Sequence, residues 1–155
     1  MNDWAVDTTI LIAGSGKSTQ ENANELACLQ IMDGMLHNDQ FFLAMDERGF
    51  AKQEYEEKTT SEYHCMKWLQ KMYANDKVVS IAHVDLKPKD KNKLFKGRRG
   101  LHKSDQKWVL ISSQTASGVI VTSDRKSFQP AMVRDLAKLL SVTILSESDA
   151  VKKIA

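Results

Sequence analysis

Two patterns of apolar residues alternate along the chain: short unbroken runs, and stretches that recur every three or four positions. Runs bounded by polar residues read as buried strands, and the 3.6-residue repeat reads as a helix face. Trp4-Ala5-Val6 predicts a short strand ending on Asp7, followed by Thr8, Thr9 and the apolar run ILIAG. Ser18-Thr19-Gln20-Glu21 has the form of a capping box, opening a helix that carries Leu26, Leu29, Ile31 and Met32 toward the core and runs to Leu36 or His37. Gln40 to Met45 predicts a second strand, which also ends on an acid, Asp46; a short helix then carries Phe50, Ala51, Glu54 and Tyr55. Thr59-Thr60-Ser61-Glu62 is a further capping box, before a helix with Cys65, Trp68, Leu69 and Met72 on one face. Val78 to Val84 predicts a third strand.

After residues 85–103, which show no clear element, Ser104 reads as the N-cap of a helix with Asp105 at its start. Trp108, Ile111 and Thr115 follow at helical spacing, and Ser117-Gly118 reads as its end. Val119 to Thr122 predicts a fourth strand delivering Ser123 and Asp124. Pro130 suits the first turn of a helix bearing Val133, Leu136, Ala137 and Leu140. A fifth strand, Ser141 to Leu145, and a last helix capped by Ser146-Glu147-Ser148-Asp149 and running through Ile154 complete the chain. Strands alternating with helices imply an α/β fold, a parallel sheet covered on both faces. In such sheets ligands bind at the C-terminal strand ends, so Asp7 and Asp124 stand where chemistry is done.

Length and composition narrow this without redirecting it. The 155 residues are expected to form one domain, 1–155, and the formal net charge of +2 gives no global field for nucleic acid or membrane. Cys28 and Cys65 lie on apolar helical patterns and read as reduced core thiols. No signal-peptide pattern and no uncharged apolar segment near the ~20 residues of a membrane span is present, so a soluble, cytoplasmic protein is expected. His37, His64 and His102 have no partner at zinc-ligand spacing, and His83 reads as a packed histidine.

Charge is concentrated locally instead. Residues 85–103 hold eight Lys or Arg against two Asp, with Phe95 interleaved. They read either as a solvated charged loop or as a clamp for phosphates, with Lys93, Lys96, Arg98, Arg99 and Lys103 as the contacts. GSGKST, residues 14–19, suggests a phosphate-binding loop, and with it a nucleotide-binding regulator. The full signature needs a further glycine where this chain has Leu11.

Taken together, VDTTILIA, DQKWVLIS, VIVTSDRKSF and the tail LAKLLSVTILSESDAVKKI resemble, in order, the motifs of the PIN-domain nucleases. The resemblance covers essentially the whole chain. It implies a three-layer α/β/α sandwich around a parallel five-stranded sheet in the order 3-2-1-4-5. It also implies three or four acids holding one or two divalent ions. Asp7, Asp105 and Asp124 match the family's acids directly. For the remaining acid Glu54, beside Tyr55, is the choice, with Asp46, Glu56 and Glu57 as alternatives; Thr8, Asp46, Thr122 and Ser123 are expected to orient the carboxylates. The chain departs from the family at Thr9 and Ser123, where asparagine is common.

The chemistry has its own logic. Carboxylates sharing one crevice repel each other unless a cation joins them, and oxygen ligands favour Mg²⁺ or Mn²⁺ over zinc. Two such ions ~3.5–4 Å apart can activate water and stabilise the leaving oxygen of a phosphodiester. The expected activity is therefore metal-dependent endonuclease cleavage, with single-stranded RNA ahead of DNA by resemblance. Roles open to it are the toxin of a toxin–antitoxin pair, restrained by an antitoxin or other protein inhibitor, and a processing or defence nuclease, as monomer or homodimer. The alternative is a PIN-like module that binds RNA or protein without cleaving.

Overall fold

In the computed structural model, which describes residues 1–17, 23–59 and 64–154, strands and helices alternate along the chain. The elements are β1 (Asn2–Val6), α1 (Thr8–Gly14), α2 (Glu25–His37), β2 (Phe41–Asp46), α3 (Phe50–Lys58), α4 (His64–Ala74) and β3 (Val78–Ile81). Then follow α5 (Pro88–Phe95), α6 (Lys103–Ser112), β4 (Val119–Val121), α7 (Pro130–Leu140), β5 (Thr143–Leu145) and α8 (Glu147–Ile154). The strands form one five-stranded sheet in the order β3-β2-β1-β4-β5, and every neighbouring pair is parallel. Eight helices among the described residues flank it, as in a three-layer α/β/α sandwich. The expected fold class and strand order are both present.

The central strands are covered on both faces, which explains why they read as unbroken apolar runs rather than alternating ones. Trp4, Ala5, Val6, Leu43, Ala44, Ile120 and Val121 are all buried. Trp4 pairs with Leu43 on one side and Val119 on the other, placing β1 at the centre. Chain direction reverses its march across the sheet between β1 and β4, and their C-terminal ends open side by side. None of the described helices is long and apolar enough to cross a membrane.

Several local expectations are corrected. ILIAG belongs to a helix, α1, in which Ile10, Leu11, Ala13 and Gly14 are buried. Gly14 ends that helix against Met32, where a Cβ would collide with its sulfur. The GSGK run therefore leaves a helix, whereas a P-loop leaves a strand, and the nucleotide-binding reading loses its structural context. The cap of α2 is Asn24, whose side chain accepts from the Ala27 amide at 3.0 Å. Ser18 to Glu21 lie outside the described residues, as do Thr60 to Glu62 of the second capping box. Thr59 closes α3, its hydroxyl donating to the Tyr55 carbonyl. On α2 the core stripe is Cys28, Ile31, Met32 and Met35; Leu26 and Leu29 are exposed.

β3 stops at Ile81 because its only neighbour, β2, ends at the paired Asp46. The stretch 85–103 contains α5, with Pro88 in its first turn and Leu94 buried. α6 begins one residue before Ser104: the N-cap is His102, whose Nδ1 accepts from the Ser104 amide at 3.2 Å. It ends at Ser112, so Thr115 lies in the following turn, and Gly118 adopts a left-handed φ of 61° just before β4. On α7 the buried contacts are Met132 and Leu136, while Ala137 is exposed. Ser141 caps that helix and is not part of β5.

Candidate metal centre

The site begins with the register of β1 and β4. The Asp7 amide donates to the Val121 carbonyl at 2.9 Å, prolonging the ladder one residue past β1. Asp7 also serves as N-cap of α1, its carboxylate accepting from the Thr9 amide at 3.5 Å. Its other oxygen accepts from the Thr122 hydroxyl at 2.7 Å. The same hydroxyl oxygen accepts from the Asp124 amide at 3.0 Å, so Thr122 ties the two strand-end acids together. Asp124 then folds its carboxylate back over its own turn, where Oδ1 accepts from the amides of Lys126 and Ser127, each at 3.0 Å.

Asp105 arrives from the first turn of α6, half-buried, with the Ser127 hydroxyl hydrogen-bonded to it. One carboxylate oxygen from each of Asp7, Asp105 and Asp124 lies within 4.8 Å of the other two. Two oxygens on opposite sides of an octahedral Mg²⁺ are about 4.2 Å apart. Neighbouring oxygens on such an ion are about 2.9 Å apart, so the three would draw together around it, and their all-oxygen donors suit a hard cation.

Electrostatics points the same way. Burial is the main force pushing the Asp7 carboxyl up, to about 7; the charges of Asp105 and Glu54 add to it, and the hydrogen bond from Thr122 opposes it. Asp105 is also raised, first by burial and then by Asp124 and Glu54, against the opposing pull of Ser127 and His102. Acids that resist ionising side by side are acids that a dication would relieve.

Glu54 stands next to this group but is otherwise engaged. It is 8% exposed on α3. One oxygen takes a hydrogen bond from Thr8, and the other lies 2.7 Å from Lys107 Nζ and 3.7 Å from Lys58 Nζ. Its charge reaches Asp7 and Asp105, yet it is outside the set of three. Of the other acids weighed for this role, Glu56 and Glu57 are exposed. Asp46 caps α3, accepting from the Phe50 and Ala51 amides at 2.8 Å each. Ser123 turns away from the acids: its hydroxyl donates to Glu147 at 3.0 Å and lies 3.8 Å from the Cys28 sulfur.

Two residues were not anticipated. Lys107 also donates to the Ser104 carbonyl and lies 5.4 Å from the Trp108 ring centre. A lysine so near a helix N-terminus opposes the macrodipole, and that mismatch was the available signal. Glu147, fully buried at the start of α8, accepts from Ser123, from Arg125 at 3.1 Å and from the Asn24 amide at 3.2 Å. Burial pushes its carboxyl up, but its own backbone amide together with these donors outweighs that and holds it below the ordinary glutamate value. Glu147 thus pins the two residues flanking Asp124. Burial drives the Cys28 thiol up to about 12, which keeps it unreactive.

The basic residues divide. Arg98, Arg99, His102 and Lys126 line a cleft of about 560 Å³ that also includes Ser127, the residue hydrogen-bonded to both Asp105 and Asp124. Lys93 and Lys96 are exposed on and just after α5, and Lys103 opens α6 facing a different cavity. Comparison of the chain with protein-family models, with curated proteins and with solved structures finds no match.

Proposed function

We propose that this chain is a nuclease that hydrolyses phosphodiester bonds with Mg²⁺ or Mn²⁺ held by Asp7, Asp105 and Asp124. The observation that carries the reading is the meeting of these carboxylates, delivered by three separate elements, within 4.8 Å at the sheet's switch point. A bound ion would supply a Lewis acid there, bringing the pKa of a coordinated water toward neutrality and offsetting phosphate charge. The chain's own residues do the rest. Asp7 would give up its proton to serve as a ligand, and Thr122 fixes its orientation by donating to one oxygen. Lys107 neutralises Glu54, so the described geometry favours one ion among three aspartates over a four-acid, two-ion site.

The neighbouring cleft supports a polyanionic substrate. An acid cluster alone repels phosphate, while Arg98, Arg99, His102 and Lys126 beside it would hold the flanking phosphates. The preference for RNA over DNA, and the roles of toxin or of processing or defence nuclease, rest on the resemblance to PIN-domain nucleases. The test is cleavage of labelled single-stranded RNA and DNA with Mn²⁺ and with EDTA. Cleavage should require the metal and fall at least ~100-fold in Asp7→Asn and Asp124→Asn. Undiminished cleavage by folded variants refutes the mechanism.

A further inference from the structure

A second cavity, of about 320 Å³, opens on the other side of α6's first turns. It shares no residue with the basic cleft, and the two approach the start of α6 differently. His102, the N-cap, lines the cleft; Lys103 and Lys107 line this cavity, and Asp105 lies between them in the chain. Ile81, Ala82, Leu110 and Ile111 give it apolar walls. Phe50 stands at its edge, a large aromatic ring left 48% exposed. Lys107 on its lining is 2.7 Å from Glu54, and Glu54 in turn takes a hydrogen bond from Thr8, the neighbour of Asp7, so the cavity opens close to the acids.

We propose that this cavity receives one unstacked nucleobase of the substrate, next to the phosphate being cleaved, and so selects single strands. The inference rests on the nuclease reading above and adds to it a place for one base, which would give the single-stranded substrate expected from the resemblance a physical basis. Size favours a base: the volume is near the lower end of ~300–1,000 Å³ for ligand pockets. It suits one planar ring system better than an amphipathic helix, which needs a long groove for successive anchors. The chemistry agrees, because apolar walls and an exposed aromatic at the rim accept the face of any base. Lys103 adds positive charge to the lining for the sugar–phosphate chain, the charge of Lys107 being matched by Glu54. A base paired in a duplex reaches such a pocket only by leaving its stack.

The test is anisotropy of a labelled single-stranded oligonucleotide in Ca²⁺, with an abasic site moved one position at a time, alongside Mn²⁺ binding followed by EPR. Ala82 is exposed, so Ala82→Trp fills the cavity without entering the core; Phe50→Ala removes the exposed ring. One abasic position should weaken binding about tenfold, and duplex should bind about tenfold more weakly than single strand. Ala82→Trp should lose about tenfold on the intact strand and flatten the scan, Phe50→Ala should lose several-fold, and both should bind Mn²⁺ within twofold of the parent. A flat scan of the parent protein, or an Ala82→Trp protein that binds the intact strand normally, overturns the proposal while Mn²⁺ binding leaves the metal site standing, and hands the cavity to a partner protein's side chain instead. Absence of both Mn²⁺ and strand binding overturns the nuclease reading together with it.

Discussion

Replacing Lys107 with methionine keeps the length of the side chain and removes its charge, leaving Glu54 to be accommodated by Thr8 and Lys58. The lost attraction is large in gross terms. At 2.7 Å and an effective dielectric of ~20 it is about 6 kcal/mol. Most of that offsets the cost of taking both ions out of water, since the side chains of Lys107 and Glu54 are only 18% and 9% exposed. Removing one partner of a buried pair typically costs ~3–5 kcal/mol. Here Lys58 at 3.7 Å and the Thr8 hydroxyl still face Glu54, which places the expectation near the bottom of that range, at about 3 kcal/mol. For a domain of this size that lowers the melting temperature by roughly 6–12 °C in EDTA. The freed carboxylate then becomes available to a cation, so saturating Mn²⁺ should raise the melting temperature of Lys107→Met more than that of the parent. Thermal unfolding in EDTA and in Mn²⁺ measures both. A metal-free melting temperature within ~2 °C of the parent, or an equal Mn²⁺ effect on both proteins, refutes the claim that Lys107 holds Glu54 away from the ion.

The charges around the site carry three other predictions. Asp7 titrates near 7 in the folded protein against 3.8 unfolded, so the folded state binds the extra proton. Its contribution to metal-free stability is full below about pH 4 and lost as pH rises through 7; urea unfolding of Asp7→Asn in EDTA should lack that decline and exceed the parent at pH 8, and an unchanged decline contradicts it. The same proton competes with metal, so Mn²⁺ affinity, followed by calorimetry, should fall about tenfold per pH unit below 7. Arg98→Ala with Arg99→Ala should weaken single-strand binding and lower the salt slope by about 1–1.5; an unchanged slope would make the cleft mere solvated surface.

What the chain discloses on its own follows from where each signal is stored. WAV, FFLAM and VIV are buried on both faces, so their apolar runs announce strands directly. Asp7 and Asp124 were visible because each follows such a run, and Asp105 because it opens a helix with Trp108 on its buried face. α5 stayed hidden because Leu94 is its one buried residue, and a single buried position shows no helical repeat. On α2, apolar residues at 26 and 29 suggested a stripe, but the core takes the set 28, 31, 32 and 35. The Glu54–Lys107 pair joins residues on α3 and α6 far apart in sequence, and no local pattern encodes such a partner. The strand order was carried by the resemblance and by no periodicity.

On the reading proposed above, Asp7, Asp105 and Asp124 together hold one hard dication. The most direct measurement is EPR titration of the metal-free protein with Mn²⁺, counting ions bound per chain, on the parent and on Asp105→Asn. One Mn²⁺ per parent chain, displaced by Mg²⁺ and weakened at least ~30-fold in the variant, a loss of about 2 kcal/mol, is the expected result. An undiminished free-Mn²⁺ signal with the parent protein, or equal binding by a folded Asp105→Asn protein, would contradict a three-aspartate site.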